Sequence, residues 1–400
     1  MDQSAINSLV AARTPGHALE QKFYTSESIY QREIERIYMR VWLYAGHISE
    51  IPKVGDYFLF ECANESVIIM HSKLGEYSAL LNVCRHRGSR VCLEKGGNTS
   101  RLTCPYHGWT YALSGELRGA AHMDENFDKS ANGLRPVHMR ILEGLIFVNF
   151  STSPGNFDDV EDDLSEVLAP YDLGNAKVAH RQTYTIEANW KLSVENYTEC
   201  YHCAPAHPEY ARGHALAQGQ GKMQEQLKIV MAKARACGLS EKQFDHSFLD
   251  ASEFGTDRAY TRYPMLRGHV TGSTDGRPLA PLLGSITEYD GGCTDFQVGP
   301  VCFALAYCDY VVLYRFSPLN VFGSECDITW LVRGDAEEGK DYDRDKLVWL
   351  WDITTKADKS IIENNQLGVN SRFYTPGPYS KMEEFTGRFV DWYLQSISDN

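Results

Sequence analysis

The sequence predicts an α+β protein in which a small all-β domain is inserted into a larger domain of antiparallel strands covered by helices. Two observations predict this fold class. Between about residues 45 and 150, short alternating segments rich in β-branched and aromatic residues are bounded by Gly and Asn turns. Outside that region the pattern is mixed, with helical periodicity near both ends and long apolar strands at 296–333.

The first 150 residues predict one helix followed by the strands of the small domain. Residues 18–45 have a Ser- and Glu-rich start and apolar residues at helical spacing, and they predict a helix. The segments DYFLFECANESVIIMH, EYSALLNVC and ILEGLIFVNFS then predict strands. We therefore expect the small domain at 45–150, with 1–44 and 151–400 forming the larger domain.

The second half alternates between helices and strands. Residues 161–171 predict a short helix, and 188–207 predict a helix that breaks near Pro205. The Gly- and Gln-rich segment 213–226 predicts a mobile connection. Residues 341–368 open on Asp residues and close at a Gly, which is typical of a long helix.

Composition excludes several classes of function. The net charge of −14 argues against a nucleic-acid partner, which needs clustered Lys and Arg, and mildly favours a cationic small molecule or a basic protein partner. The most apolar stretch, VCFALAYCDYVVLY, is too short to span a bilayer and contains an Asp. The N-terminal residues lack the apolar region of a signal peptide, so we expect a cytoplasmic protein. Eleven cysteines, an odd number, indicate reduced thiols rather than a disulfide scaffold.

The stretch CRHRGSRVCLEKGGNTSRLTCPYHGW contains two paired ligand motifs. Cys84 and His86 form C-x-H, and Cys104 and His107 form C-x-x-H. Two thiolates and two imidazoles suit either tetrahedral zinc or a [2Fe-2S] cluster with mixed ligands. A zinc ribbon, or unrelated loop residues, is the alternative interpretation. Cys92 lies outside the pattern and is interpreted as a small buried residue.

The motifs C-R-H-R-G and C-P-Y-H-G-W at this spacing resemble the cluster loops of Rieske non-haem iron oxygenases, in their large (alpha) subunit. The resemblance covers roughly residues 18 to 390. It implies a Rieske [2Fe-2S] cluster held by Cys84, His86, Cys104 and His107, and a catalytic domain of the helix-grip type found in aromatic-ring-hydroxylase alpha subunits.

A second metal site is expected in ENYTECYHCAPAHPEY. His202 and His207 are spaced so that both imidazoles can converge on one ion, and two His with one carboxylate leave open positions on Fe(II). The family resemblance implies an Asp on the C-terminal helix followed eight residues later by a Gln, which Asp358 and Gln366 match; Asp352 is the competitor. Nearby, Cys200 and Cys203 are interpreted as packing residues.

The resemblance also implies roles for Glu199 and Asn196. In this family a carboxylate at the position of Glu199 bridges the two metal sites, linking His107 of one subunit to His202 of its neighbour. The family usually has Asp there, one residue further from the preceding Asn. The pattern E-N-Y-x-E-C-Y-H-C-x-x-x-H, with Asn196 three residues before Glu199, looks like the branch that acts on carnitine, betaines and choline.

The resemblance implies a mono-oxygenase that uses O₂. It also implies that electrons come from NAD(P)H through a separate flavin or iron–sulfur reductase, and that the protein forms a homotrimer. The expected reaction is N-demethylation or hydroxylation of a quaternary ammonium compound, with no nucleic acid or membrane involved. An aromatic-ring dioxygenase with the same metals, and a zinc-stabilised or electron-carrier protein, are the alternatives. Aromatic residues of the late strands could line a pocket for a cation: Phe296, Phe303, Tyr307, Tyr310 and Tyr314.

Overall fold

The protein divides into two compact units, which we call the small unit (Trp42–Pro154) and the large unit (Met1–Val41 with Gly155–Asn400). The expected boundaries lie within a few residues of these. The computed structural model describes residues 2–214, 216, 220–244, 247–249 and 257–398. Among those residues, no helix is both long enough and apolar enough to cross a membrane.

The small unit consists of antiparallel strands in three sheets. Their orders are β4-β3-β2-β5, β6-β7-β8 and β1-β10-β9. The strands are β1 (Leu43–His47), β2 (Asp56–Cys62), β3 (Glu65–Lys73), β4 (Glu76–Leu81), β5 (Gly96–Asn98), β6 (Leu102–Thr103), β7 (Thr110–Tyr111), β8 (Leu117–Gly119), β9 (His138–Leu142) and β10 (Leu145–Asn149).

The core of the small unit lies between the first two sheets. Ile68 and Met70 of β3 and Leu80 of β4 pack in one cluster with Leu102 and Tyr111 of the second sheet. Each fully buried aliphatic side chain stabilises the fold by roughly 1.5–3 kcal/mol. This core therefore fixes the two segments, after β4 and between β6 and β7, that contain the Cys and His motifs.

The large unit is built on an antiparallel sheet of order β11-β17-β16-β15-β14-β13-β12. Strands are confirmed within 296–333, but the first predicted strand, FQVGPVCFALAYC, is divided between β14, which begins at Gly292, and β15. The strands are β11 (Ala176–Ile186), β12 (Ser247–Leu249), β13 (Arg258–Pro264), β14 (Gly292–Val298), β15 (Cys302–Ala306), β16 (Val311–Asn320) and β17 (Gly323–Arg333).

The helices of the large unit are α1 (Gln3–Ala11), α2 (Gln21–Thr25), α3 (Glu27–Glu33), α4 (Asp158–Leu168), α5 (Trp190–Tyr197), α6 (Cys203–Ala206), α7 (Pro208–Gly213), α8 (Gln220–Ala236), α9 (Arg344–Val369) and α10 (Glu384–Ile397). The long C-terminal helix predicted at 341–368 is confirmed as α9, and Asp343 caps it by accepting a hydrogen bond from the Lys346 amide. Side chains of α9 bond to the sheet, since Tyr184 Oη of β11 donates to Asp352 Oδ1 at 2.8 Å.

Two sequence predictions about helices are wrong in detail. Residues 18–45 do not form one helix, because Ser26 adopts an extended conformation between α2 and α3 and the chain enters β1 at Leu43. Ser favours such boundary positions over helix interiors. The predicted connection at 213–226 is helical from Gln220 onwards as α8, while residues 215 and 217–219 lie outside the described residues.

Candidate functional site

The two Cys/His loops of the small unit have the same backbone geometry. In the first, the amide of Gly88 donates to the Cys84 carbonyl at 2.9 Å; in the second, Gly108 donates to the Cys104 carbonyl at 3.1 Å. Both glycines have positive φ, 78° and 71°. A residue with a Cβ rarely adopts this conformation, so the glycines after each His are what permits the two matching turns.

The four candidate ligands are segregated by burial. Cys84 and Cys104 belong to the core of the small unit, with exposed fractions of 3% and 2%. His86 and His107 are exposed, and their Nδ1 atoms lie 3.1 Å apart. The two buried thiols and the two exposed imidazoles form two pairs of donors, and together they would hold a two-iron cluster. This donor set fits a mixed-ligand [2Fe-2S] cluster.

Side chains that the sequence did not single out surround these ligands. Tyr111 Oη accepts a hydrogen bond from the Arg85 amide at 3.1 Å and lies 3.2 Å from Cys84 Sγ. The indole of Trp109 stacks on His86 at 4.9 Å, and Tyr106 stacks on His107 at 3.9 Å between ring centroids. Trp109 and Tyr111 lie within four residues of His107 in the sequence, and this closeness to a ligand loop could have identified them as neighbours of the cluster site.

In the large unit, three candidate iron ligands converge. Oδ1 of Asp358 on α9 lies 3.2 Å from Nε2 of His202 and 3.1 Å from Nε2 of His207. Burial lowers the pKa of His202, but hydrogen bonds with Asp358 and Glu199 outweigh it and raise the pKa to about 10. Burial raises the pKa of Asp358, but both imidazoles lower it below its usual range. Two imidazole nitrogens and one ionised carboxylate oxygen form a donor set that suits Fe(II).

The chain around His202 is a loop rather than the predicted continuous helix. α5 ends at Tyr197, and Pro205 lies inside the short helix α6, so the break is earlier than expected. The carboxylate of Glu199 explains the break, because it accepts hydrogen bonds from the backbone amides of Tyr201 and His202 at the start of α6. A side chain that bonds free amides at a helix start takes the place of helical carbonyls.

Glu199 and Asn196 both contact His202. Oε1 of Glu199 lies 2.5 Å from Nδ1 of the imidazole, and the amide nitrogen of Asn196 lies 3.4 Å from Nε2. A carboxylate on one ring nitrogen fixes the tautomer and directs the other nitrogen toward a metal. The structure therefore brings both of these residues to the same ring as the candidate iron ligands.

Other side chains near the two histidines either bond to different groups or are less suited to bind a metal ion. Asp352 accepts a hydrogen bond from Tyr184 at 2.8 Å and pairs with Lys356 at 2.7 Å, away from the two imidazoles. Gln366 is buried and accepts from the Asn189 amide at the start of α5. The Cys203 sulfur lies within 4.8 Å of nitrogens of both His202 and His207. A hydrogen bond with Cys200 and burial raise the pKa of this thiol, which disfavours the thiolate that a metal would need.

A cavity of about 530 Å³ lies in the large unit beside these residues. The candidate iron ligands are not part of the described lining, but two lining residues contact them: Glu199 bonds to His202, and the ring centroid of Tyr210 lies 5.5 Å from that of His207. Aromatic and acidic side chains line it, including Tyr197, Tyr263, Phe303 and Asp295.

Of the aromatic residues expected to line a pocket, only Phe303 is part of the described lining. Phe296 is buried on the opposite face of β14 from Asp295, because side chains alternate along a strand. Tyr307, Tyr310 and Tyr314 pack in the core around Trp351 instead.

The sequence matches two families. Residues 41–137 match the Rieske [2Fe-2S] domain, and residues 173–399 match the ring hydroxylating alpha subunit (catalytic domain). The chain belongs to the ring-hydroxylating oxygenase alpha subunits. It is therefore a Rieske-type oxygenase, and the two domains together imply a Rieske cluster and a mononuclear iron.

Curated relatives and solved structures agree with this family. The glycine betaine monooxygenase oxygenase subunit of Chromohalobacter salexigens is 36% identical over 99% of this chain and 89% of the relative. The carnitine monooxygenase oxygenase subunit of Escherichia coli K12 is 29% identical over 88% of this chain and 84% of the relative.

The structure of the quaternary ammonium Rieske monooxygenase CntA in complex with L-carnitine has a TM-score of 0.72 at 22% identity, over 97% of each chain. Naphthalene 1,2-dioxygenase from a Rhodococcus species, bound to indole, has a TM-score of 0.70 at 21% identity and covers 99% of this chain and 98% of its own. At these identities the likeness shows the fold alone, which is the predicted Rieske oxygenase alpha-subunit architecture.

Proposed function

We propose that this oxygenase hydroxylates an N-methyl group of a quaternary ammonium compound of the betaine or carnitine type. The observation that carries the proposal is the cavity beside the candidate iron site, which combines aromatic rings with the carboxylate of Asp295. Aromatic faces and carboxylates are the groups that bind cations without hydrogen-bond donors. The full-length likeness to glycine betaine monooxygenase subunits supports the same substrate class.

His202, His207 and Asp358 would hold the mononuclear iron. A site of this composition, when loaded with Fe(II), leaves open positions where oxygen is activated next to substrate. Within the protein, Glu199 holds His202 through Nδ1, so that Nε2 stays directed at the position shared with Asp358. Asn196 contacts the same ring at 3.4 Å and restricts its rotation.

Cys84, Cys104, His86 and His107 would hold the Rieske cluster. Electrons would come from NAD(P)H through a separate reductase. As the family resemblance implies, they would pass to the iron site through His107 of one subunit and Glu199 and His202 of another, within a homotrimer. The exposed imidazole edges of His86 and His107 are accessible to a redox partner.

The overall reaction balances with two electrons, two protons and one O₂. One oxygen atom enters a C–H bond of the N-methyl group and the other leaves as water. The hydroxymethyl ammonium product then loses formaldehyde, and the nitrogen keeps a proton in place of the methyl group. The cavity would hold the cation beside the residues that would bind the iron.

The test is a single turnover that does not depend on the identity of the reductase. The protein is purified anaerobically, analysed for iron and acid-labile sulfide, reduced with dithionite, desalted, and mixed with O₂ and glycine betaine or carnitine. We expect sulfide with a Rieske-type EPR signal, and formaldehyde with the demethylated amine. Zinc without sulfide would contradict the metal assignment. A cis-diol or phenol from an aromatic substrate, without formaldehyde from any ammonium compound, would instead identify an aromatic-ring oxygenase.

A further inference from the structure

Asp295 lies on the face of the sheet that forms one wall of the cavity. Residues of β14 alternate, so Cys293, Asp295 and Gln297 all line the cavity. Directly opposite Asp295, the neighbouring strands place Thr261 of β13 and Leu305 of β15, which line the same wall. The residues directly across from Asp295 on both neighbouring strands are therefore uncharged, and its carboxylate is the charged group between them.

Among the described residues, nothing donates a hydrogen bond to this carboxylate or pairs with it. Three buried acids of the large unit, in contrast, have partners. Asp290 pairs with Arg262 at 2.6 Å, Glu33 pairs with Lys191 at 2.6 Å, and Asp309 accepts from Thr271 at 2.6 Å. Asp295 is half-buried, and a carboxylate that is partly removed from water without a partner has an uncompensated desolvation cost. A ligand that brings a positive charge next to this carboxylate would offset that cost and bind more tightly.

We infer that Asp295 is the counter-charge that selects the cationic group of the substrate. This inference rests on the proposed function and identifies a specificity-determining residue for it. A quaternary ammonium group has no N–H to donate, so it needs a negative charge and aromatic faces rather than several acceptors. Asp295 supplies the charge, and the rings of Tyr197, Tyr263 and Phe303 line the same cavity.

Protonation of Asp295 gives the inference a measurable consequence. Burial raises the pKa of Asp295 to about 7. A cation close to the carboxylate lowers that pKa again, so binding near pH 7 releases a proton, and affinity falls as pH decreases below 7.

Several other titratable groups that face this space have a pKa that burial shifts away from 7. Burial raises the pKa of Tyr197 and Tyr263, raises that of Cys293 to about 12 and lowers that of His214 to about 4. The remaining acidic, basic and thiol groups of the described lining are Glu199, Cys200, Asp257, Tyr210, Tyr260, Lys381, Glu384 and Arg388.

The experiment compares cations with uncharged isosteres of the same shape on the metal-loaded enzyme. Isothermal titration measures the affinity for glycine betaine against 3,3-dimethylbutyrate, and for choline against 3,3-dimethylbutan-1-ol. The variants are Asp295→Asn, which keeps the size of the side chain, and Glu288→Gln, an exposed carboxylate of the same unit that controls for net charge. A second measurement titrates the wild type at pH 7 in two buffers of different ionisation enthalpy, which needs no variant.

We expect the wild type to prefer each cation, and Asp295→Asn to reduce the preference by ~30-fold, as for a buried charge pair that loses one partner. Glu288→Gln should leave the preference unchanged, and wild-type binding of betaine should release protons. The inference is overturned by a wild type that binds neither cation or prefers neither, by an Asp295→Asn variant with an unchanged preference, or by binding without proton release. An Asp295-dependent preference without formaldehyde from any ammonium compound would instead contradict the proposed reaction and leave the inference standing.

Discussion

Glu199 and His202 are joined by a contact of 2.5 Å between Oε1 and Nδ1. The same carboxylate also accepts from two backbone amides, so its position is fixed by the loop as well as by the imidazole. Because Nδ1 is occupied, only Nε2 of His202 is left to face Asp358 and a metal ion. One acidic side chain thus bonds to the backbone just before helix α6 and also orients a candidate iron ligand.

Replacing Glu199 by Gln should reduce turnover while both metals remain bound. Gln still accepts from the backbone and from Nδ1–H, but it removes the charge that fixes the imidazole, and loss of such a partner costs roughly 10–100-fold in activity. Stopped-flow oxidation of the reduced cluster in the presence of substrate is the measurement. Glu187→Gln, an exposed carboxylate that precedes α5, is the control. Wild-type rates with both sites loaded would remove Glu199 from electron delivery.

Replacing Asp358 by Ala should release the mononuclear iron and leave the cluster intact. The variant keeps the two imidazoles but loses the carboxylate that balances the charge of the ion, so the ion binds weakly. The cluster ligands lie in the other unit and are not changed. Iron analysis should then show one iron per chain fewer than in the wild type, with unchanged sulfide and EPR signal. Asp352→Ala is the matched control on the same helix, since Asp352 pairs with Tyr184 and Lys356. Iron loss in the control but not in Asp358→Ala would reverse the assignment.

The sequence predicted those parts of the site whose residues are close together in the chain. The C-x-H and C-x-x-H pairs and the two histidines of the 202–207 segment could be identified because ligand spacing is a local property. Asp358 was reached only through the family resemblance, since nothing local shows which face of a long helix meets a segment about 150 residues earlier.

Other features depend on tertiary contacts that the sequence pattern does not encode. The helix break at Thr198 was missed because a carboxylate that bonds backbone amides overrides the helical periodicity of the segment. Asp295 was missed because its surroundings are set by the register of three strands, which places Thr261 and Leu305 beside it. Four of the five aromatic residues expected in the pocket pack in the core instead, because their periodicity is equally that of a buried strand.

Replacing Tyr111 by Phe should lower the reduction potential of the cluster. The hydroxyl accepts from the Arg85 amide and lies 3.2 Å from Cys84 Sγ, so its hydrogen points at the sulfur and stabilises the extra negative charge of the reduced state. A hydrogen bond to a charged group contributes about 1.4 kcal/mol, which for a one-electron couple corresponds to about 60 mV. Redox titration followed by EPR measures the shift. Tyr106→Phe removes an exposed hydroxyl near His107 and should leave the potential unchanged.

Replacing Gly88 by Ala should weaken the loop that holds Cys84 and His86. A Cβ at this position meets no atom within 4 Å, so the cost is purely conformational: φ is +78°, and a residue other than Gly loses about 1–2 kcal/mol there. Gly88→Asn should lose less, since Asn adopts the left-handed region more readily. Gly174→Ala, which also has open space but lacks a positive φ, is the control. The measurements are cluster content after purification and the loss of visible absorbance on heating. We expect the wild type and Gly174→Ala to retain the most cluster, Gly88→Asn to retain less, and Gly88→Ala to retain the least. If Gly88→Asn and Gly88→Ala retain equal amounts, the left-handed backbone conformation is not the reason for a glycine at this position.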